Sequence, residues 1–371
     1  MKVIVLSCNT GGGHNACARA IREQFQSAGD ICDIADAVGF CSKSLSKFIT
    51  WGHSTMYRHF PRLFSFGYEF AEKHPGILKD DSIIYKLLTG GAEKLHCFLE
   101  NGKYDAVVCT HVFSGLLLRE TLRRYSMKLK TAFVPTDYTC SPGTAKSNAD
   151  LYFIPAESLR EEFVEQGVPA DKIIVSGIPV RAGFYARMDT NAAKRNLNIE
   201  PSHFHILMMC GSMGCGPMGR LVKQAYIRMK HDCEISVVCG RNEKLQRKLN
   251  KVFRDVNKVH VYGFMEDMNV LMDSADICVT KPGGLSTSEA AAKGLPMILL
   301  DVVSGCEERN MDYFVRCGGA VTALCVDGVV GHCLVLANER LKLEKMRNAL
   351  VSQLPKNAAD CIVMSLHKEM V

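Results

Sequence analysis

Residues 2–25 read KVIVLSCNTGGGHNACARAIREQF. The opening run is mostly apolar and predicts a buried strand over Lys2–Cys8. Gly11, Gly12 and Gly13 then form a turn in which the backbone can approach a ligand closely, and a helix is predicted over Asn15–Phe25. A buried strand that leads through a tight turn into a helix is typical of parallel βα units, in which helices cover both faces of the sheet.

The same alternation continues along the chain and predicts an α/β fold with doubly wound parallel sheets. The residues Gly177–Val180 are followed by a polar helical stretch, so we expect two domains, 1–180 and 181–371, with the last helix packing back on the first domain. Eleven strands are predicted, at Lys2–Cys8, Ile31–Ala35, Ala106–Thr110, Leu129–Val134, Leu151–Pro155, Ile173–Val175, Phe204–Cys210, Glu234–Cys239, Val259–Tyr262, Ile277–Thr280 and Met297–Leu300.

The composition is that of an ordinary globular protein, with 371 residues of which 47% are apolar and 23% charged. This argues against disorder, and the length suffices for two domains with proper cores. The net charge of +6 is shared along the chain, since residues 1–182 carry 21 basic and 19 acidic residues. No basic arm or stripe stands out, so nucleic-acid binding is not expected.

The cysteine pattern and the apolar runs bear on where the protein works. The 17 cysteines are scattered, and no two of them form a CxxC pair. We therefore expect reduced thiols, with Cys109, Cys239 and Cys278 acting as small buried hydrophobes. No apolar run approaches the roughly 20 residues of a membrane-spanning helix, and the first one is too short for a signal sequence. The expected location is the cytoplasm, either in solution or peripherally on the inner face of the cell membrane.

The first glycine-rich turn places His14 at the start of a predicted helix. The free N–H groups and the positive dipole end of such a helix attract anions. The near-neutral pKa of a histidine suits it to accept a proton from an attacking hydroxyl group. A histidine that only caps or packs the helix is the alternative.

A second strand–turn–helix unit carries a stronger signal. The strand ends at Thr280, residues 281–284 (KPGG) form a tight turn, and a helix is predicted over Leu285–Lys293. The backbone amides around Gly283 and Gly284, with the Ser286 and Thr287 hydroxyl groups, can hold a diphosphate. Glu289, expected in the first turn of the helix, can accept hydrogen bonds from ribose hydroxyls; the alternative is that it only complements the helix dipole.

Three further turns follow strands of the second half. Gly211 and Ser212 open a second candidate anion-binding turn, and Arg241 supplies a basic side chain at the next. Phe264 and Met265 end a strand where backbone groups could read the edge of a flat base. Each turn alone is generic for this fold, but together with the KPGG turn they predict a nucleotide site.

The segments TGGGHNACARAI, KPGGLSTSEAAAKGLPMIL and GCEERNMDYF closely resemble those of the monogalactosyldiacylglycerol synthase and processive diacylglycerol glucosyltransferase family. The resemblance spans most of the chain, including TDY at residues 136–138 and GIPVR at residues 177–181. It implies a GT-B fold, in which two Rossmann-like domains face each other across a cleft. It also implies inverting, metal-independent transfer of a sugar from a UDP-sugar donor, with the acceptor bound by the first domain.

The resemblance further implies a role for each matching residue. His14 would be the general base or would position it, and Asp137 is the rival base. Glu307, Glu308 and Asn310 match a loop that contacts the donor sugar. The diphosphate would be held by Gly283, Gly284, Ser286 and Thr287, and the ribose by Glu289. The uracil would be contacted by Phe264 and Met265. The phosphates and the acceptor would lie near Gly11, Gly12 and Gly13.

One position departs from the family pattern. Cys306 stands where the family commonly has a glutamine, and a thiol hydrogen-bonds sugar hydroxyls poorly. The donor sugar (glucose, galactose or N-acetylglucosamine) therefore stays open. No cofactor or metal is expected, because the sequence has no DxD pair at a strand end, and helix N-termini with Arg241 can stabilise the leaving UDP instead.

Residues 43–74 form a long excursion rich in aromatic and basic residues, including the only tryptophan, Trp51, with Phe64 and Phe66. Such a mixture suits an anionic membrane surface, while closure of a hydrophobic core is the alternative. The leading hypothesis is hexose transfer to diacylglycerol, giving a β-linked glycolipid. The alternatives are a polyprenyl-linked or other lipid acceptor, UDP-N-acetylglucosamine 2-epimerisation, and a UDP-sugar-binding protein without catalysis.

Overall fold

A computed structural model describes residues 1–9, 12–41, 79–80, 82–209, 211, 216–229, 232–266, 268–300, 305–353 and 357–370. The chain divides into two compact units. The first comprises Met1–Ala182, Val303–Cys306 and Pro355–Val371, and the second comprises Gly183–Val302 and Glu307–Leu354. The predicted excursion at residues 43–74, with Trp51, Phe64 and Phe66, lies outside the described residues, as do Gly11 and Ser212.

The first unit is built on a parallel sheet with the strand order β2-β1-β3-β4-β5-β6. Its strands are β1 (Lys2–Ser7), β2 (Ile31–Asp36), β3 (Ala106–Cys109), β4 (Lys130–Phe133), β5 (Leu151–Ile154) and β6 (Ile173–Val175). Its helices are α1 (Gly12–Ser27), α2 (Ala37–Cys41), α3 (Ile83–Thr89), α4 (Ala92–Gly102), α5 (Val112–Arg124), α6 (Arg160–Glu165) and the C-terminal α15 (Ala358–Met370). Short 3-10 helices span Ala145–Ser147, Glu157–Leu159 and Ala170–Lys172.

The C-terminal helix α15 packs on α1. The Nε2 atom of His367 lies 2.6 Å from a carboxylate oxygen of Asp30, and Gln24 donates to Asp360 over 3.0 Å. Apolar residues on the inner face of α15, among them Ile362 and Leu366, are fully buried. The end of the chain therefore contributes to the core of the unit that its beginning builds.

The second unit repeats the architecture with the strand order β12-β11-β10-β7-β8-β9, again all parallel. Its strands are β7 (Phe204–Met209), β8 (Cys233–Val238), β9 (Val259–Tyr262), β10 (Ile277–Thr280), β11 (Met297–Leu299) and β12 (Ala320–Thr322). Its helices are α7 (Thr190–Asn196), α8 (Met218–Arg228), α9 (Glu243–Val252), α10 (Asn269–Ser274), α11 (Gly284–Ala292), α12 (Cys306–Arg316), α13 (Val326–Asn338) and α14 (Arg340–Gln353).

The α/β class and the parallel sheets predicted from the apolar runs are confirmed, and each of the eleven predicted strands is present. The strand β12 is not predicted, because its sequence is Ala-Val-Thr, with one strongly apolar residue, and it directly follows Gly318 and Gly319. The prediction that cysteines act as small buried hydrophobes is also confirmed for these described residues. Cys109 and Cys239 are buried free thiols, and burial raises the pKa of Cys109 to about 12, so it stays protonated and unreactive.

The strand order fixes where ligands can bind in each unit. In such sheets the site lies beyond the carboxyl ends of the strands where the winding direction reverses. This switch point falls between β1 and β3 in the first unit and between β7 and β10 in the second. The turns after these four strands contain His14, His111, Gly211 and the KPGG sequence.

Candidate functional site

His14 lies in the first turn of α1, after β1, and its ring is held by two polar groups. Its Nδ1 atom is 2.9 Å from the carbonyl oxygen of Thr110, after β3, and 2.9 Å from the hydroxyl oxygen of Thr136, after β4. A carbonyl oxygen only accepts hydrogen bonds, so Nδ1 carries the proton and donates it. The neutral ring therefore has its lone pair on Nε2, the state that a general base requires.

Two opposing effects, burial of the ring and the nearby negative charge, set the pKa of His14. Burial lowers the pKa of His14, while the nearby Asp137 carboxylate and the bond to Thr110 act in the opposite direction. The balance keeps the pKa below the ordinary value for histidine, so the imidazole is neutral at neutral pH. His14 and Asp137, the two candidate bases from the sequence, thus belong to one electrostatic site.

The turn before α1 is tied down by a chain of side-chain hydrogen bonds. Ser7 donates to Asn15 over 2.7 Å, Asn15 donates to Asn9 over 2.7 Å, and Asn9 donates to Asp36 over 3.0 Å. This chain links the ends of β1 and β2 to α1. The helix begins at Gly12, three residues earlier than predicted, so Gly12 and Gly13 belong to its first turn.

Sequence reasoning missed His111, which follows the end of β3. Its ring contacts that of His14, with centroids 4.5 Å apart and planes at 80°. It is the N-cap of α5, and its Nδ1 accepts the amide of Phe113 over 3.0 Å. The signal available in the sequence was the position of this histidine, directly after a predicted buried strand and before a helical pattern.

In the second unit the KPGG turn leads directly into α11. Gly283 precedes the helix, and its amide bonds back to the carbonyl of Lys281 over 2.9 Å. Gly284, Leu285 and Ser286 begin α11, and the first amides of a helix have no partner within it. They lie at the switch point of the sheet, so this end of α11 can bind an anion such as a diphosphate.

Two of the predicted donor contacts need correction. Thr287 is fully buried, its hydroxyl is within 3.0 Å of the Gly283 carbonyl and 3.1 Å of the Gly284 carbonyl, and its amide also bonds to Gly283. Both of its donors are used inside the helix, so it cannot donate to a diphosphate. Asn310 is likewise fully buried, and its amide nitrogen donates to the carbonyl of Pro282 over 2.9 Å. It positions the turn and is not exposed to a sugar.

Glu289 differs from its predicted position. Because α11 begins at Gly284, Glu289 is its sixth residue and lies in the second turn, not the first. Glu289 is half-buried, and so is Ser286, which lies three residues earlier in the first turn of the helix. The dipole of the helix acts within its first turn, so complementing the dipole is a weak account of Glu289.

The other predicted donor residues lie at strand ends of the same sheet. The guanidinium group of Arg241 lies over the ring of Phe264, with 5.1 Å from Cζ to the centroid, and Phe264 is 49% exposed. Gly211 has a backbone φ of +62°, a conformation that residues other than glycine rarely adopt. Met265 is half-buried, and Cys306, Glu307 and the exposed Glu308 open α12.

The described residues offer neither a metal site nor a membrane-spanning helix. They hold no cluster of three or more His, Cys, Asp or Glu side chains suited to a metal ion. None of their helices is long and apolar enough to cross a membrane.

Comparison with known proteins agrees with this geometry. Residues 14–180 match the family model of monogalactosyldiacylglycerol synthase, and residues 205–357 match that of the glycosyltransferase family 28 C-terminal domain. A processive diacylglycerol beta-glucosyltransferase of Staphylococcus saprophyticus is 27% identical over 95% of this chain and 89% of its own length.

The fold agrees with solved structures of lower sequence identity. MurG of Acinetobacter baumannii superposes with a TM-score of 0.65 at 14% identity, covering 99% of this chain and 100% of that one. The UDP-GlcNAc 2-epimerase of Neisseria meningitidis, bound to UDP-GlcNAc, gives 0.62 at 16% identity, with coverage of 99% and 100%.

Two parallel sheets of this kind, each with its own switch point, form a GT-B fold like that of these solved structures. The first half of the chain is similar to monogalactosyldiacylglycerol synthase and the second half to the C-terminal domain of glycosyltransferase family 28, so the protein is a UDP-sugar glycosyltransferase. The resemblance seen in the TGGGH and KPGG segments is therefore confirmed.

Proposed function

We propose that this protein transfers a hexose from a UDP-sugar to the free hydroxyl group of diacylglycerol, forming a β-glycosyl diacylglycerol. The observation that carries the proposal is His14, held as a neutral base within the half of the chain that matches monogalactosyldiacylglycerol synthase. The name of the staphylococcal relative, similar over nearly the whole chain, supports the same reaction. The UDP-sugar is a substrate, and no cofactor or metal ion takes part.

In this reaction the Nε2 atom of His14 takes the proton of the acceptor hydroxyl as its oxygen attacks the anomeric carbon. The bond from that carbon to the UDP oxygen breaks, and UDP leaves with the electron pair. Attack from the opposite face inverts the anomeric centre. Asp137 either stabilises the imidazolium that forms or is itself the base, since its carboxylate already acts on His14.

The donor is assigned to the second unit. The amide groups at the start of α11, with Gly283, Gly284 and the Ser286 hydroxyl, hold the diphosphate. The turn at Gly211 and Ser212 and the Arg241 guanidinium add positive potential for the leaving UDP. Phe264 and Met265 flank the uracil, Glu289 accepts from the ribose, and Glu307 and Glu308 contact the sugar. Thr287 and Asn310 support this site from behind.

The lipid acceptor implies contact with an anionic membrane surface at the inner face of the cell membrane. In the described part of the first unit, Ile83, Ile84 and Leu87 of α3 are 85%, 47% and 54% exposed. Exposed Arg123 and Arg124 lie on α5, which packs against α3. Apolar side chains beside basic ones suit such a surface. Trp51, Phe64 and Phe66 are further candidates for this contact.

The experiment is sugar transfer into the organic phase. Purified protein meets diacylglycerol in anionic liposomes with UDP-glucose, UDP-galactose or UDP-N-acetylglucosamine, with EDTA and no added metal, and mass spectrometry identifies the extracted lipid. A hexosyl-diacylglycerol from one donor is expected, with one UDP released per sugar. Transfer only to a polyprenyl-linked acceptor, epimerisation without an acceptor, or UDP binding without turnover would each contradict the proposal.

A further inference from the structure

His111 holds its position through the backbone of α5 while its ring contacts the candidate base. Its Nδ1 accepts the amide of Phe113 over 3.0 Å, and the Ser114 hydroxyl completes the capping box by accepting the backbone amide of His111 over 3.3 Å. The ring centroids of His111 and His14 are 4.5 Å apart. We propose that His111 is the positioning residue for His14, and that its capped ring keeps the His14 ring in its base-competent orientation. This inference rests on the proposed function.

The hydrogen bonds fix opposite tautomers in the two rings. His14 donates from Nδ1 to the Thr110 carbonyl, so its lone pair is on Nε2. His111 accepts at Nδ1 from an amide, so that nitrogen carries no proton and the neutral ring is protonated at Nε2. Both assignments depend on backbone groups, which do not titrate. His111 therefore adds no positive charge beside the base while it is capping α5.

The contact also restricts how His14 can move. Thr110 and Thr136 hold only the Nδ1 edge of the ring, about which the imidazole could still tilt. The ring of His111 stands nearly perpendicular to it, at 80° with the centroids 4.5 Å apart, so contact with His111 limits such a tilt. The same contact covers part of the half-buried His14, and burial is what lowers the pKa of that histidine.

Two titratable groups face His14 from the elements packed against it. Asp137 follows β4 and raises the pKa of His14, and His111 stands at the start of α5. Replacing the His111 ring by a smaller uncharged side chain would leave Asp137 in place and let water in. The pKa of His14 would then move up toward its ordinary value, and more of the base would be protonated in mild acid.

The test separates the ring of His111 from its cap. His111→Asn and His111→Ser remove the ring but keep a side chain that accepts the Phe113 amide. We expect an unchanged melting temperature, an acid limb of the kcat profile displaced to higher pH, and a roughly three- to tenfold lower kcat at pH 6 with the KM for the donor unchanged. His111→Phe keeps a ring but cannot cap, so we expect a melting temperature about 2–4 °C lower and an unmoved acid limb.

Titration of the His14 ring by NMR provides a readout that needs no turnover. The midpoint is expected to rise in His111→Asn and in His111→Ser but not in His111→Phe. Unmoved midpoints and an unmoved acid limb in the first two variants would overturn the inference, as would the same displacement in all three. Failure of the wild-type protein to transfer sugar would instead contradict the proposed function, and the NMR titration would still decide the role of His111.

Discussion

The guanidinium carbon of Arg241 lies 5.1 Å from the centre of the Phe264 ring. The two residues follow the neighbouring strands β8 and β9, at the carboxyl edge of the second sheet. A cation on one face of an aromatic ring is attracted by the π electrons and orients the ring. With 49% of its surface exposed, Phe264 has apolar surface open to solvent beside this cation, where we propose that the uracil lies.

Phe264→Leu should weaken UDP binding roughly fivefold or more, because stacking of a base on an aromatic side chain is lost. Isothermal titration calorimetry measures this without a lipid acceptor. Tyr226→Leu is the matched control, since Tyr226 is a 41% exposed aromatic residue on α8 that packs against Phe253. An unchanged Kd in the Phe264 variant, or an equal loss in both, would contradict the assignment.

Asp137→Asn separates the two candidate bases. The Asp137 charge raises the pKa of His14, so its removal should lower that pKa further and move the acid limb of kcat to lower pH. His14→Ala should reduce kcat by about 10²- to 10⁴-fold with UDP binding unchanged. A collapse of kcat at every pH in the Asp137 variant, with substantial activity left in His14→Ala, would make Asp137 the base.

Thr287→Val and Ser286→Ala compare two adjacent hydroxyl groups at the start of α11. The Thr287 hydroxyl is buried and bonded to helix carbonyls, so its loss should lower stability by about 1 kcal/mol and change the Kd for UDP less than twofold. Ser286→Ala should leave stability nearly unchanged and weaken UDP binding several-fold. Calorimetry measures the Kd for UDP and thermal unfolding measures the stability. Weaker UDP binding in Thr287→Val, with unchanged binding in Ser286→Ala, would show that Thr287 contacts the donor.

Glu120→Gln tests the ion pairs that Glu120 makes with Arg123 and Arg124 within α5. The 2% exposed Glu120 carboxylate accepts from Arg123 and Arg124, whose guanidinium groups lower the pKa of Glu120 to about 2. The folded-state pKa lies below the unfolded value of about 4.3, so this stabilisation is present above about pH 4.3 and is lost as the pH falls toward 2.

The glutamine variant should therefore unfold about 1–3 kcal/mol more easily at pH 7, and this difference should shrink below pH 4. Urea unfolding at several pH values measures it. Glu157→Gln is the control, because Glu157 makes a similar pair with Arg160 but is 68% exposed, where such pairs contribute little. A difference as large at pH 3 as at pH 7 would show that burial, not ionisation, accounts for the effect.

Much of the fold could be predicted from the sequence because the evidence for it is local. A parallel strand covered on both faces must be apolar almost throughout, so runs such as Ile277–Thr280 mark strands without knowledge of their neighbours. Glycines after such a run mark a ligand-binding turn for the same reason, since close approach of the backbone requires the absence of Cβ. The KPGG turn and the first turn of α1 were identified on these grounds.

The roles of individual side chains depend on partners that are distant in the chain. Thr287 and Ser286 are equivalent in sequence, and only the start of α11 at Gly284 decides that one hydroxyl is buried in the helix. Asn310 is a polar residue in a sugar-binding pattern until the fold places it beneath Pro282. His111 has no motif around it, and only the pairing of β3 beside β1 brings it to His14.

The sequence by itself determined the α/β class, the two glycine-rich turns as candidate ligand sites and His14 as a candidate base, because apolar periodicity and glycine placement act over a few residues. The tertiary structure decided which nitrogen of His14 carries the proton, which hydroxyl groups remain available and which ring lies against the base. These depend on hydrogen bonds across as many as 122 residues of chain, as between Thr136 and His14, and only the completed sheet brings such groups together.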